Sequence, residues 1–235
     1  MKEYGVRRGI EYLIDNSYYN KNVVYPYRGY EAMNYLLDNF RFDTVLDIGC
    51  GEGTHSDIFL NAGKEVTAID YGKSYYFNKM KSNPVFTCIT SDFMEYHFDK
   101  TFDCVWCSHV LEHQLNPHDF LKKAIRLVKL GGVLAITVPP YRPTIMGGHV
   151  NLFNAGLLLY RLVLAGIDCS NAHTKTYDYD ISVIVEKKEP INVLNQLSYD
   201  LGDLRVIKKY LPANLEFLSN NDDDPFYGNI RELNW

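Results

Sequence analysis

The sequence predicts a doubly wound α/β fold, and three observations carry the prediction. From Thr44 onward, short β-branched and near-continuously apolar runs alternate with helical stretches, the pattern of strands buried on both faces and joined by helical crossovers. At 45–53 an apolar strand runs straight into a glycine-rich turn that opens a helix. Beyond residue 165, two strand-like runs are separated by only a few residues, and so short a connection makes only an antiparallel pair. The expected sheet is seven-stranded, mostly parallel, with a C-terminal antiparallel strand.

The elements follow in order. Residues 1–43 form a helical lead-in rich in Tyr and Asn, with Tyr30, Met33, Leu36, Leu37 and Phe40 on one helical face. Strands are expected at 44–48, 65–69, 85–89, 102–107 and 133–138. In the helix before the fifth strand, Asn116 supplies the cap and Pro117 fits the first turn. Phe120, Leu121, Ala124, Ile125 and Val128 form the apolar face, and Gly131-Gly132 marks the stop. A helix near 154–165 precedes strands at 168–176 and 180–187, and a last helix is expected at 198–210. This gives one domain in three parts: a lead-in or lid (1–43), a core (44–189) and a cap (190–235).

Composition narrows the function. The 235 residues are 46% hydrophobic and 23% charged, as in soluble globular chains. A net charge of −5 lacks the basic excess that phosphate backbones select, so nucleic acid is not an expected partner. The most apolar stretch, 156–166, contains Arg161 and is too short to span a bilayer. The first sixteen residues carry charges throughout and show no signal-peptide core. Five cysteines without framework spacing suit a reducing compartment, so a cytoplasmic protein is expected. The unusual entry is 19 Tyr against 2 Trp.

Chemistry is concentrated in Val45-Leu46-Asp47-Ile48-Gly49-Cys50-Gly51-Glu52-Gly53. Glycines here let the backbone turn tightly and approach a ligand, while the helix start offers N–H donors and a positive dipole end. A nicotinamide dinucleotide would call for a further glycine where Thr54 stands. About twenty residues on, Asp70 ends the second strand, placed to accept from a ribose diol in a Rossmann-like sheet.

These residues resemble the class I S-adenosylmethionine-dependent methyltransferases over 44–187. The likeness rests on an ordered set: the glycine turn, Ile69-Asp70-Tyr71, Ser91-Asp92-Phe93, Phe102-Asp103-Cys104-Val105, Ser108-His109-Val110-Leu111-Glu112-His113 and Gly131-Gly132-Val133-Leu134. With Gly148-His149-Val150-Asn151-Leu152-Phe153, it is similar to the branch holding ubiquinone-biosynthesis O-methyltransferases and small-molecule or sugar methyltransferases. The resemblance implies S-adenosyl-L-methionine as cofactor. Gly49, Cys50 and Gly51 would line its methionine end, and Asp47 would support the turn or meet the amino group. Asp70 would take the ribose hydroxyls and Tyr71 would pack on the adenine. Asp92 and the Phe93 amide would read the adenine edge, and Ser108 and His109 would hold the methionine portion.

The sulfonium is an activated donor, so the protein mainly aligns donor and acceptor and removes a proton. His149, after Gly147-Gly148, is the expected general base or acceptor-binding group; otherwise it anchors its loop. His113 is the second catalytic candidate. His109, Glu112 and His113 fall at metal-ligand spacing, but polar groups bonded to loops at the site edge are the expected reading, with no metal. Cys104 and Cys107, three apart on a strand, face opposite sides and are expected to be structural. The acceptor is expected to be a small hydroxylated molecule, a sugar or nucleotide-sugar first. The alternatives are an N- or C-methyltransferase and a non-catalytic cofactor-binding module. The Tyr-rich lead-in, with Tyr18, Tyr19, Tyr25, Tyr27 and Tyr30, is expected to close over the site.

Overall fold

A computed structural model describes residues 27–80, 86–200, 202–218 and 225–235. Tyr18, Tyr19 and Tyr25 of the expected lid lie outside these residues, as does the acidic run 222–224.

The strands are β1 (Thr44–Ile48), β2 (Glu65–Asp70), β3 (Thr87–Thr90), β4 (Phe102–Ser108), β5 (Val128–Val138), β6 (His173–Tyr177), β7 (Asp180–Glu186) and β8 (Glu232–Leu233). The helices are α1 (Tyr30–Asn39), α2 (Thr54–Asn61), α3 (Pro117–Leu127), α4 (Ala155–Leu164) and α5 (Asp203–Ile207), with a 3-10 turn at Leu111–His113. They build one eight-stranded sheet of order β3-β2-β1-β4-β5-β7-β6-β8. β1 to β5 are mutually parallel, and β7 enters antiparallel to both β5 and β6. The doubly wound prediction holds. The strand count is corrected from seven to eight, because the two-residue β8 pairs with the outer edge of β6 and covers an edge that would otherwise be open.

Two further corrections concern boundaries. α3 stops at Leu127, capped by Asn116, whose side chain accepts from the Asp119 N–H. Residues 128–132 join β5 instead of ending the helix: Val128 pairs with Phe102 before a register shift leads to Val133 beside Cys104. The Gly131-Gly132 pair therefore bends a strand, and a Cβ at Gly132 would lie 2.7 Å from the Asp103 carbonyl. The expected helix at 198–210 contracts to α5 followed by a 3-10 turn at Lys208–Tyr210.

The sheet separates two apolar layers. On one side Leu46, Ile48, Val105 and Cys107 pack with Phe120 and Leu121 of α3, Leu158 and Leu162 of α4, and Ile207 and Leu211 of the C-terminal part. On the other, Val45, Cys104 and Trp106 meet Phe59 of α2 and Met33 and Leu36 of α1. Each fully buried side chain of this kind contributes about 1.5–3 kcal/mol before entropy is counted. Cys104 and Cys107 fall in opposite layers, as strand alternation requires, and both are free thiols. Because α1 lies against the face of β5 and β7, the chain entering it crosses the carboxyl end of the central strands.

Candidate active site

At the end of β1 the chain reverses through Gly49 (φ 74°), Gly51 (φ 53°) and Gly53 (φ 89°). A Cβ on Gly49 would sit 2.2 Å from Val110 Cγ2, so only glycine fits that place. The Gly49 and Cys50 amides donate to the Ile69 carbonyl at 2.7 and 3.3 Å, which ties the turn to β2. Gly53 is the N-cap of α2 and supplies no side-chain cap; Asp47 takes the Ser56 amide of the first turn, which leaves the Thr54 and His55 amides at the helix start.

Asp70, buried at the end of β2, accepts from the Gly51 N–H at 2.9 Å through one oxygen and from the Gly72 N–H at 2.8 Å through the other. A carboxylate has about four acceptor sites, so a ribose diol can still be accommodated. Asp47 is 1% exposed and accepts from the Ser56 hydroxyl at 2.6 Å. Burial pushes its pKa up to about 7, opposed by the Ser56 bond. It supports the turn from beneath. Cys50 faces inward, and burial pushes its thiol far above the ordinary value.

Tyr71 is 57% exposed with the Lys73 ammonium 4.7 Å from its ring centroid, so its face stands at the rim rather than in the core. Asp92 accepts from the Met94 N–H at 2.8 Å, and the Phe93 ring packs on Phe120 at 5.0 Å, inside the apolar layer. The residues expected to line a nucleoside thus converge on the carboxyl ends of β1, β2 and β3. The glycine cradle, the helix start at Gly53 and the buried Asp70 fit an adenosyl cofactor in that place.

The other half of the site lies beyond β4 and β5. Ser108 ends β4, its buried hydroxyl without a hydrogen-bond partner among the described residues. His109 follows with φ 56°, an uncommon backbone state for a non-glycine residue and one that gathers at functional sites. Its Nε2 lies 2.8 Å from Asp180 Oδ1 and its Nδ1 3.2 Å from Glu112 Oε1. Burial works against a charged imidazole, yet Asp180 and Glu112 outweigh it and raise the pKa of His109. The expected place of His109 is beside the methionine portion; in the structure both of its ring nitrogens face acidic side chains.

Glu112 is fully buried. The 3.2 Å contact with His109 is close enough for an ion pair but lies outside hydrogen-bond geometry, so both Glu112 oxygens are left without a hydrogen-bond partner among the described residues. Around it stand His113, with Nε2 at 3.8 Å, and His149. Glu112, His113 and His149 each offer a ligand atom within 4.8 Å of the others, a set that could hold a divalent cation. The loop bearing His149 is docked by backbone: the Val150 and Asn151 amides donate to the Glu112 carbonyl at 2.9 and 3.1 Å. Asn151 Nδ2 donates to the Gln114 carbonyl at 2.6 Å, and His113 Nδ1 donates to the Gly148 carbonyl at 2.7 Å. His113 and His149 meet edge to face at 5.0 Å. Burial lowers the pKa of His149, with Glu112 opposing, so its imidazole is neutral at physiological pH.

Sequence reasoning missed Asp180, Tyr179, Arg28 and His55. Asp180 Oδ2 accepts from the Gly29 N–H at 2.7 Å, and His55 Nε2 donates to the Arg28 carbonyl at 2.7 Å. Burial lowers the pKa of His55 to about 4, so it acts as a neutral donor. These bonds pin residues 28–29 across the ends of β4 and β5, where a Cβ at Gly29 would meet the Ser108 hydroxyl at 3.1 Å. Asp180 opens β7 and reads from sequence as the first residue of a strand, and nothing local announces its long-range bonds.

Comparisons with known proteins bear on the family and the fold. Residues 46–136 match the family model described as "Methyltransferase domain". The chain is similar to the ubiquinone biosynthesis O-methyltransferase of Pseudomonas fluorescens, 33% identical over 37% of this chain and 40% of that protein. It is also similar to the enzyme of that name from Rickettsia prowazekii, 25% identical over 78% of this chain and 69% of that protein. The Pseudomonas match thus spans about two fifths of that relative's length. Among solved structures, the 1,6-didemethyltoxoflavin-N1-methyltransferase of Burkholderia thailandensis, with S-adenosylhomocysteine bound, superposes with a TM-score of 0.57. Its identity is 18%, over 68% of this chain and 77% of that one.

Proposed function

We propose that this chain, which belongs to the class I S-adenosylmethionine-dependent methyltransferases, moves a methyl group from S-adenosyl-L-methionine to a hydroxyl of a small molecule. The observation that carries the reading is one edge of one sheet. It bears the glycine cradle with Asp70 at its β1–β2 side and a neutral imidazole beside a buried carboxylate at its β4–β5 side. Likeness to curated O-methyltransferases supports oxygen as the acceptor atom.

When bound, the cofactor supplies an activated methyl group on a sulfonium. Gly49, Cys50 and Gly51 hold its amino-acid end, Asp47 braces the turn, Asp70 accepts from the ribose, and Tyr71, Asp92 and the Phe93 amide receive the adenine. Ser108 offers its hydroxyl, without a hydrogen-bond partner among the described residues, beside the methionine portion. On the acceptor side, His149 removes the hydroxyl proton at its imidazole as oxygen becomes the nucleophile. Glu112 within 4.8 Å stabilises the imidazolium so formed. His113 fixes the Gly148 turn that presents His149. Residues 27–43 serve as a lid and 190–235 as a cap on the core, and a sugar or nucleotide-sugar heads the acceptor classes. No helix among the described residues is long and apolar enough to cross a membrane.

The test is calorimetry with S-adenosylhomocysteine, followed by mass spectrometry of hydroxylated acceptors incubated with S-adenosylmethionine. Cofactor binding with methylated product is the expected result. Cofactor binding with no product on any acceptor would leave a binding module instead.

A further inference from the structure

Beside His149, the turn between β6 and β7 carries Tyr179, only 8% exposed, with its hydroxyl against the Met146 sulfur at 2.8 Å. Two guanidinium groups lie over this one ring, Arg142 at 4.4 Å and Arg28 at 4.6 Å from its centroid. Stacking on an aromatic face leaves the N–H edge of a guanidinium available, and that edge is the part that matches carboxylate or phosphate oxygens.

The neighbouring acid does not use these edges up. Asp180 accepts from the Gly29 N–H through Oδ2 and pairs with His109 through Oδ1; Arg28 makes a longer ion pair with it at 3.8 Å, beyond hydrogen-bond distance, so the N–H edge of Arg28 is not hydrogen-bonded to the acid. Arg142 has no ion-pair partner among the described residues; its recorded contact is the Tyr179 ring. Arg142, His149 and Tyr179 line a cavity of about 10 Å³, the room of one water, with Pro140, Met146 and Leu152; Arg28 approaches Tyr179 from outside this lining, so an anion would have to displace the Met146 side of the loop to enter. The Arg28 backbone is itself held, through its carbonyl to His55 and through the next amide to Asp180. One of the two cations is therefore fixed to the floor of the site, and the other rides on the loop that bears His149.

We propose that Arg142 and Arg28, stacked on Tyr179, form a subsite for an anionic group, a carboxylate or phosphate, carried by the methyl acceptor and seated beside His149. The proposal rests on the methyltransferase reading above and adds the acceptor's charge. Anion capture at one end of the acceptor fixes the reach of its hydroxyl toward His149, which is how a positioning contact speeds transfer.

The experiment is calorimetric titration of the full chain, saturated with S-adenosylhomocysteine, with inorganic phosphate in one arm and benzoate in the other. Parallel titrations use Arg142→Ala and Arg142→Lys. Wild type is expected to bind at least one of the two anions, with affinity falling as sodium chloride is raised. Arg142→Ala is expected to lose about tenfold or more, and Arg142→Lys to recover only part because it keeps charge without the planar fork. The arm that binds distinguishes phosphate from carboxylate. Binding of neither anion, or equal binding by wild type and Arg142→Ala, overturns the subsite. Failure of S-adenosylhomocysteine itself to bind is a separate readout that strikes the methyltransferase reading. Unchanged cofactor affinity in Arg142→Ala shows that the variant is folded.

Discussion

His149 and Asp70 carry the most exposed claims because each does one thing that a substitution can remove. Replacing His149 by Ala should lower kcat by about 10²-fold or more while leaving S-adenosylhomocysteine affinity unchanged, since the side chain stands on the acceptor side. A base with a lowered pKa is already deprotonated at neutrality. The rising limb of turnover should therefore lie below the ordinary imidazole value of about 6.5, and His149→Ala should abolish it. Chelation of divalent ions should leave this activity intact, and metal analysis alongside the assay checks it; loss on chelation would hand Glu112, His113 and His149 to a cation instead. Asp70→Ala acts twice, removing the ribose acceptor and stranding the Gly51 and Gly72 amides. Cofactor affinity should fall by about tenfold or more, and the melting temperature should fall with it.

The glycine turn between β1 and α2 is legible at the level of elements because its requirement is local. Gly49 must be glycine both for its φ of 74° and for the Val110 methyl 2.2 Å from a would-be Cβ. Gly49→Ala should destabilise by about 1–3 kcal/mol, read as a loss in denaturant midpoint. Adding Val110→Ala should recover the steric part but not the backbone part. The same locality explains why α3 was recognisable: Asn116, Pro117 and the apolar face are set within three turns. The end of α3 was not legible, because Gly131-Gly132 serves a strand bend that exists only once β4 is beside β5. Asp180 was hidden for a similar reason. Its partners Gly29 and His109 are 151 and 71 residues away, and no window of sequence contains the bonds. The residues proposed to hold the cofactor sit on consecutive strand ends and follow a pattern; those proposed to face the acceptor are assembled from the lead-in, the β4 end and the β6–β7 turn.

At the scale of the whole molecule, the Asp180–His109–Glu112 chain joins β7, β4 and the 3-10 turn beneath the site. Because the folded state raises the pKa of His109, the stability it contributes is fully present below the unfolded value of about 6.5 and is lost as pH rises through the folded pKa. Urea unfolding of wild type and His109→Asn across pH 6 to 9 should show the wild-type advantage shrinking toward high pH. A constant difference would mean that His109 is held by packing alone.

The bond from the Gly29 amide to Asp180 sets an order in time as well as a place in space. A chain emerging from the ribosome completes the β1 and β2 turn, with Asp70 already closed on Gly51, long before the β6–β7 hairpin exists. Closing a contact across 151 residues costs about 2 kcal/mol more loop entropy than closing the one across 19 between Asp70 and Gly51, which favours the shorter closure first. The cofactor pocket is thus built early from neighbours in sequence. The floor of the acceptor side, with the buried imidazole awaiting its second carboxylate, is sealed only when the hairpin docks. The nascent molecule gains the means to hold a methyl donor before it gains the means to spend it.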